Sequence, residues 1–308
     1  MISKSNKIFL AGHNGMVGSA ILKKLKNLGY KNIICVSKKK LNLLDQKKVE
    51  SFLKKKKPKV VIIAAARVGG ILANNNNKAN FLYENLTIQT NIIHGSFLAG
   101  VKNLIFLGSS CIYPKKTKQP IKESFFMTGP LENTNDAYAI AKITGVKMCM
   151  EYSKQYKLNY KTLMPANMFG ANDNYDLSSS HFFPALIRKI HNAKIRKKKF
   201  ITLWGNGKPK RELLYVEDFA DACVFFMRKK TKESFVNIGS GVEKTIKGFA
   251  QYIMKRLNVN LKIKYDLTKP NGMQRKKLDL SISKKYGWKS KTSLNEAFEK
   301  VYLDYLKN

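Results

Sequence analysis

An α/β fold with a doubly wound parallel sheet is predicted for this chain, and three observations carry that expectation. Short apolar runs alternate with stretches of helical periodicity through the first half. A strand, a glycine loop and a helix meet at Gly12, Gly15 and Gly18. At 308 residues the chain can also bury a second, smaller α/β lobe. Parallel strands need crossover connections, and helices on both faces of the sheet supply them.

Taken in order, residues 7–11, 33–36, 60–65, 104–107 and 162–164 read as strands. The runs Ile8-Phe9-Leu10-Ala11 and Val60-Val61-Ile62-Ile63 show no polar alternation, as expected of strands covered on both faces. Residues 81–97 and 137–156 are the two longest helical patterns, and an extra apolar face on either serves a dimer contact or ordinary sheet packing. After Pro165 the alternation loosens into a loop over 172–180, a helix from about Phe183 and the extended run Ile201-Thr202-Leu203-Trp204. Leu213-Leu214-Tyr215-Val216, followed by a helix over 219–227, reads as a return to the sheet. The expected division is a cofactor-binding domain at 1–170, with a return segment at about 213–240, and a substrate-binding lobe from 171–212 and 241–308.

Composition narrows the function classes. The net charge of +38 invites a nucleic-acid reading, but basic residues occur in every segment, including Lys54 to Lys57, Lys197 to Lys199 and Arg275-Lys276-Lys277. No nucleic-acid-binding motif accompanies them, so no specific nucleic-acid partner is expected. Cys35, Cys111, Cys149 and Cys223 lack paired short spacing, which argues against a disulfide framework or a zinc site and for reduced thiols in cytoplasm. The apolar run after Lys7 is too short for a signal peptide or a membrane span, so a soluble, unsecreted chain without membrane attachment is expected.

Gly12-His13-Asn14-Gly15-Met16-Val17-Gly18 spaces its glycines three apart between a strand and a helix, where a backbone must approach a pyrophosphate at a helix N-terminus. The next strand ends in Ser37-Lys38-Lys39-Lys40, without the acidic residue that holds the ribose hydroxyls of NAD. Positive charge there suits a 2′-phosphate. NADPH is the expected cofactor and Lys38 its phosphate partner, against the alternative of one more solvated lysine run.

Tyr138 and Lys142 stand four apart in a helical pattern, so the ammonium is expected beside the phenol, easing its deprotonation. They follow Ser109-Ser110-Cys111, which closes a strand. Tyr265 and Lys269 match the spacing but run into Pro270. Tyr138 and Lys142 together with Ser109 read as a reductase site, Ser109 alone as a strand terminator.

Five segments carry a family resemblance: Gly12 to Ala20, Val68-Gly69-Gly70-Ile71-Leu72-Ala73-Asn74-Asn75, Leu107-Gly108-Ser109-Ser110-Cys111-Ile112-Tyr113-Pro114, Tyr138-Ala139-Ile140-Ala141-Lys142 and Trp204-Gly205-Asn206-Gly207. Across essentially its whole length the chain resembles the GDP-L-fucose synthase family, of the extended short-chain dehydrogenase/reductases. The resemblance implies 3,5-epimerisation of GDP-4-keto-6-deoxy-D-mannose followed by NADPH-dependent reduction at C4. It implies a reductase triad of Ser109, Tyr138 and Lys142 and an epimerase acid/base pair of Cys111 and His181. It places cofactor contacts at residues 12–18, Lys38, Leu107, Gly108, Ser109, Ser110, Lys142, Pro165, Ala166, Asn167, Met168 and His181, substrate contacts at Lys189, Trp204, Arg211 and Asn271, and a homodimer.

Several of these residues also have a plainer reading: Cys111 as a small buried apolar group, His181 as a satisfied structural histidine, and Trp204 as a core anchor. Arg211 could pair with Glu212 or Asp218, and Lys189 could be solvated. Asn167 is expected on the loop after a strand C-terminus, where open α/β sheets bind ligands. The chain departs from the family with Phe169 for tyrosine, Asn271 for aspartate, and Asn14 and Lys38 for arginines. Nucleotide-sugar 4,6-dehydratases would place an Asp-Glu pair where Ser110-Cys111 stands, and 4-epimerases need no second acid/base pair. GDP-colitose synthase uses the same chemistry on a 3-deoxy sugar. A non-enzymatic NADP-binding or RNA-associated scaffold rests on the basic charge alone.

Overall fold

The computed structural model describes residues 2–307. The expected strands form β1 (Ile8–Ala11), β2 (Ile33–Ile34), β3 (Val60–Ile63), β4 (Asn103–Leu107) and β5 (Asn159–Pro165). Further along come β6 (Asn167–Phe169), β7 (Phe200–Trp204), β8 (Lys210–Tyr215), β9 (Phe235–Ile238), β10 (Glu243–Thr245), β11 (Lys262–Asp266) and β12 (Arg275–Lys276). The helices are α1 (Met16–Asn27), α2 (Gln46–Lys56), α3 (Ile71–Asn76), α4 (Lys78–Leu98), α5 (Asp136–Tyr156), α6 (Phe182–Ile195), α7 (Val216–Arg228), α8 (Ile246–Arg256), α9 (Ser281–Lys285) and α10 (Leu294–Tyr305).

The main sheet is parallel and runs β2-β1-β3-β4-β5-β9. β1 and β3 are buried at every position, which is why both read as unbroken apolar runs. Helices α2, α4 and α5 pack as one group and α1 against α7 as another, covering the sheet on its two sides. Helix α5 approaches the sheet closely at Gly145, where a Cβ would meet the Phe106 ring.

Three expectations need correction. β2 stops at Ile34, since the chain turns where the Lys40 and Leu41 N–H groups both bond Ser37 O. The run at Leu213 does not rejoin the main sheet. It lies in β8, which pairs with β10, β12 and β6, while β9 takes the sixth place beside β5. Asn167, expected on a loop, lies in β6 along the edge of β8, and its Nδ2 donates to Glu212 O at 3.1 Å. A separate parallel pair joins β7 to β11.

β5 is longer than expected because it carries Lys161, whose buried Nζ donates to Phe226 O at 3.2 Å and to Lys229 O, capping the end of α7.

Two buried side chains tie the small sheets to the large one. The Glu212 carboxylate accepts from Gly241 N at 2.7 Å and Leu278 N at 2.9 Å. Asn237, in β9, accepts from Tyr113 OH at 2.6 Å and donates through Nδ2 to Ile121 O at 2.9 Å. Its backbone N–H donates to Glu123 at 2.8 Å. Replacing a fully buried amide by a methyl group strands both of its partners, and each buried unpaired group costs roughly 1 to 3 kcal/mol. Asn237→Ala is therefore expected to destabilise the fold by roughly 2 to 4 kcal/mol, and Tyr113→Phe by less, in denaturant titrations.

Candidate active site

The sheet delivers its ligand-facing loops along one edge. β1 ends into 12–15, β2 into 37–40, β4 into 108–110 and β5 into 166, so the expected cofactor residues of these loops stand at or beyond strand C-termini, while Asn167 and Met168 lie in β6 and His181 caps α6. Gly12 has a φ of +85° and packs on the Ala64-Ala65 backbone, and a Cβ on Gly18 would overlap the Gly12 carbonyl. Gly15 is different: it caps α1, its nearest neighbour to an added Cβ lies 3.7 Å away, and no acidic residue occupies the first turn. The N-terminus of α1 thus has the open, positively polarised character that suits a pyrophosphate. His13, Asn14, Met16 and Val17 flank it, and Lys38 stands exposed on the neighbouring loop.

Ser109 caps a short 3-10 turn over Ser110–Ile112, its Oγ accepting from Cys111 N at 3.3 Å. That turn places Cys111 beside the start of α5, which brings Tyr138 and Lys142 to the same place. Lys142 Nζ donates to Leu107 O at 2.8 Å and lies 5.7 Å from the centre of the Tyr138 ring. Burial lowers its pKa to about 8, with the charge of Cys111 opposing that fall. The Tyr138 phenol does not follow the expectation of an eased deprotonation. Burial first, then the charge of Cys111, raises its pKa despite a hydrogen bond to Ser109. Tyr138 is accordingly held protonated at neutral pH, the state a proton donor needs. Tyr265 lies on strand β11, so its spacing to Lys269 creates no shared helical face.

The segment Val68-Gly69-Gly70 is pinned by Asn85, whose Oδ1 accepts from Arg67 N at 2.9 Å while Nδ2 donates to Arg67 O at 3.0 Å. Gly70 N in turn donates to Ser179 O at 2.8 Å, and a Cβ on Gly70 would strike Ser180 O. This contact sets the chain leading to His181, the N-cap of α6. His181 is open to solvent, yet protein surrounds it closely enough that desolvation, then the charge of Lys276, lowers its pKa. Cys111 is buried; burial raises its thiol pKa, and Lys276 opposes that rise more than Lys142 does.

The four expected substrate residues also meet. Lys189 Nζ donates to Thr202 O at 3.0 Å and lies 5.4 Å from the centre of the Trp204 ring, with Lys269 at 5.9 Å. Asn271 Oδ1 accepts from Asn206 N at 2.9 Å, so this side chain shapes the turn after Trp204. Arg211 pairs with neither Glu212 nor Asp218. Its guanidinium donates to Lys210 O, Met273 O and Asn271 O. Burial lowers the Arg211 pKa to about 10, opposed by Glu132.

Sequence reasoning missed Lys276, Glu132, Tyr113 and Asn237. Lys276 was one of three basic residues in a row, and nothing local distinguished it.

The chain is similar to known proteins along its whole length. The NAD dependent epimerase/dehydratase family matches residues 8–239. The putative GDP-L-fucose synthase 2 of Arabidopsis thaliana is 49% identical over 308 residues, covering 100% of this chain and 94% of that protein. The GDP-L-fucose synthase of Sinorhizobium fredii is 47% identical over 302 residues, covering 98% and 96%. The solved structure of MlghC, a GDP-mannoheptose C4 reductase from Campylobacter jejuni with NADP bound, superposes with a TM-score of 0.90 at 33% identity and covers 99% of this chain and 100% of that one.

The two glycine environments give distinct expectations. Gly18→Ala, which forces the loop backbone to move, should weaken NADPH binding at least about tenfold in a fluorescence titration. Gly15→Ala should leave the fold stable, because its Cβ meets no protein atom closely.

Proposed function

Because this chain belongs to the NAD dependent epimerase/dehydratase family, and within it to the GDP-L-fucose synthases, we propose that it makes GDP-L-fucose from GDP-4-keto-6-deoxy-D-mannose. The observation that carries this reading is the convergence of two sets of groups on one site. Ser109, Tyr138 and Lys142 suit carbonyl reduction, and Cys111 and His181, both reached by the charge of Lys276, suit proton exchange beside the ketone.

In the first half of the reaction, protons leave C3 and C5 and return on the opposite faces. Each passes through an enolate whose charge gathers on the C4 oxygen, where the Ser109 hydroxyl donates a hydrogen bond. Cys111 and His181 serve as the acid and base. For the second half, residues 12–18, Lys38, the 107–110 and 165–168 segments and Lys142 would hold NADPH, which when bound would supply the hydride that C4 receives. Tyr138 gives its proton to the resulting alkoxide, and the Lys142 ammonium balances the phenolate left behind. Trp204, Arg211, Lys189 and the turn shaped by Asn271 hold the GDP moiety, with Arg211 suited to a phosphate oxygen.

The same proposal assigns cofactor binding to the main sheet and substrate binding mainly to the residues of the smaller sheets and α6. A homodimer through α4 and α5 is supported by the exposed side chains of Tyr83, Ile140 and Tyr156 on those helices. No helix among the described residues is long and apolar enough to cross a membrane. A cytoplasmic site of action is supported by the free thiols of Cys35, Cys111, Cys149 and Cys223.

The test is to supply the purified chain with GDP-4-keto-6-deoxy-D-mannose and either NADPH or NADH, follow nicotinamide oxidation and identify the sugar by NMR. GDP-L-fucose formed preferentially with NADPH is the expected result. Product made only from the 3-deoxy ketose would assign the chain to colitose synthesis, and RNA affinity without turnover to the scaffold reading. Because Lys142 carries its charge below its pKa, the reduction rate should fall as pH rises through about 8.

A further inference from the structure

Lys276 lies in a strand whose neighbouring residues are each held by hydrogen bonds or ion pairs. β12 sets it beside Arg211 in register with β8. Its neighbour Arg275 makes a two-pronged pair with Glu243, at 2.8 Å for each contact. Its other neighbour, Lys277, donates its N–H to Gln119 Oε1 at 3.0 Å and receives Ile121 N at 2.7 Å. Leu278 is fixed by Glu212. Lys142 and Lys189, by contrast, each cap a carbonyl, Lys142 that of Leu107 and Lys189 that of Thr202. Among the described residues, the Lys276 ammonium has no hydrogen bond or ion pair, although it is mostly enclosed by protein.

We infer that Lys276 supplies the positive charge that balances the negative charge created during epimerisation, on the Cys111 sulfur and on the substrate enolate. The inference rests on the proposed function. The charged and titratable groups around this lysine are Cys111, His181, Arg211 and Glu132. Cys111 in turn faces Lys276, Lys142 and Tyr138, and of the two lysines Lys276 acts on it more strongly. A cation so placed helps a thiol act as a base in a site that otherwise favours its neutral form. Deprotonation of the sugar carbon sends its electron pair into the enolate and its proton to the base, and the acid then returns a proton to the other face. Lys276 neither gives nor takes a proton. With Lys142 tied to Leu107 O near the phenol, the two lysines divide the reaction between them: Lys142 serves the reduction and Lys276 the epimerisation.

The test uses the full chain with Lys276→Met and Lys276→Arg, each first shown to melt cooperatively near the parent temperature. Alkylation of Cys111 by iodoacetamide, followed by peptide mass spectrometry across neutral and alkaline pH, reads the thiolate without substrate. Lys276→Met should slow it about tenfold at neutral pH, and Lys276→Arg should restore most of the rate. Deuterium uptake from solvent at C3 and C5 of the keto sugar should fall by a similar factor in Lys276→Met, with little change in KM. An unchanged alkylation profile, or a loss confined to KM as for a phosphate ligand, would overturn the inference. A parent chain that exchanges no deuterium but shows the alkylation shift would refute the proposed function and sustain the pairing of Lys276 with Cys111.

Discussion

The hydrogen bonds of Asn237 are the constraint on which the site depends. This one buried side chain, in the sixth strand, receives the Tyr113 hydroxyl and donates to Ile121 O. The loop from Ser109 to Tyr113 is thereby fixed at both ends: β4 delivers it, and β9, two strands away, holds its far end. Ile121 then bridges to Leu278, so the segment that carries Lys276 is registered against the loop that carries Cys111. A one-ångström displacement between reacting groups is costly to catalysis, and a buried, satisfied polar network resists such displacement better than apolar packing does.

Charge is the second theme. Lys142, Lys189, Arg211 and Lys276 all have pKa values lowered by desolvation, and each would be better hydrated outside the protein. Among the described residues, no buried carboxylate neutralises the set completely. Glu132 stands near Arg211 and Lys276 but also pairs with Lys115 at 3.3 Å, and Glu212 spends its oxygens on backbone N–H groups. A fold that keeps unneutralised cations together gives up stability for a surface matched to an anionic ligand. A GDP-linked sugar beside a phosphorylated dinucleotide is such a ligand.

Much of this was legible in the chain and some was not, for reasons that particular residues make plain. β1 and β3 are unbroken apolar runs because both of their faces are covered, and the glycine loop declares itself because Gly12 and Gly18 have no room for a side chain. β9 escaped notice: Phe235-Val236-Asn237-Ile238 carries a central asparagine, and the more apolar run at Leu213 competed with it. That asparagine is there to bond Tyr113, 124 residues away, and no local periodicity records such a contact. Lys189, Trp204 and Arg211 came from resemblance alone. Lys276 was hidden by composition, since a chain with 58 lysines and arginines offers no contrast by which one functional cation stands out.

The central claim is that one site houses two separable chemistries. The measurement that tests it most directly is NMR of GDP-4-keto-6-deoxy-D-mannose in deuterated water with the Tyr138→Phe chain and NADPH. Continued deuterium uptake at C3 and C5, with nicotinamide oxidation reduced by at least about a hundredfold, is the predicted result. Loss of exchange in step with loss of oxidation, in a chain that still binds both ligands, would contradict it.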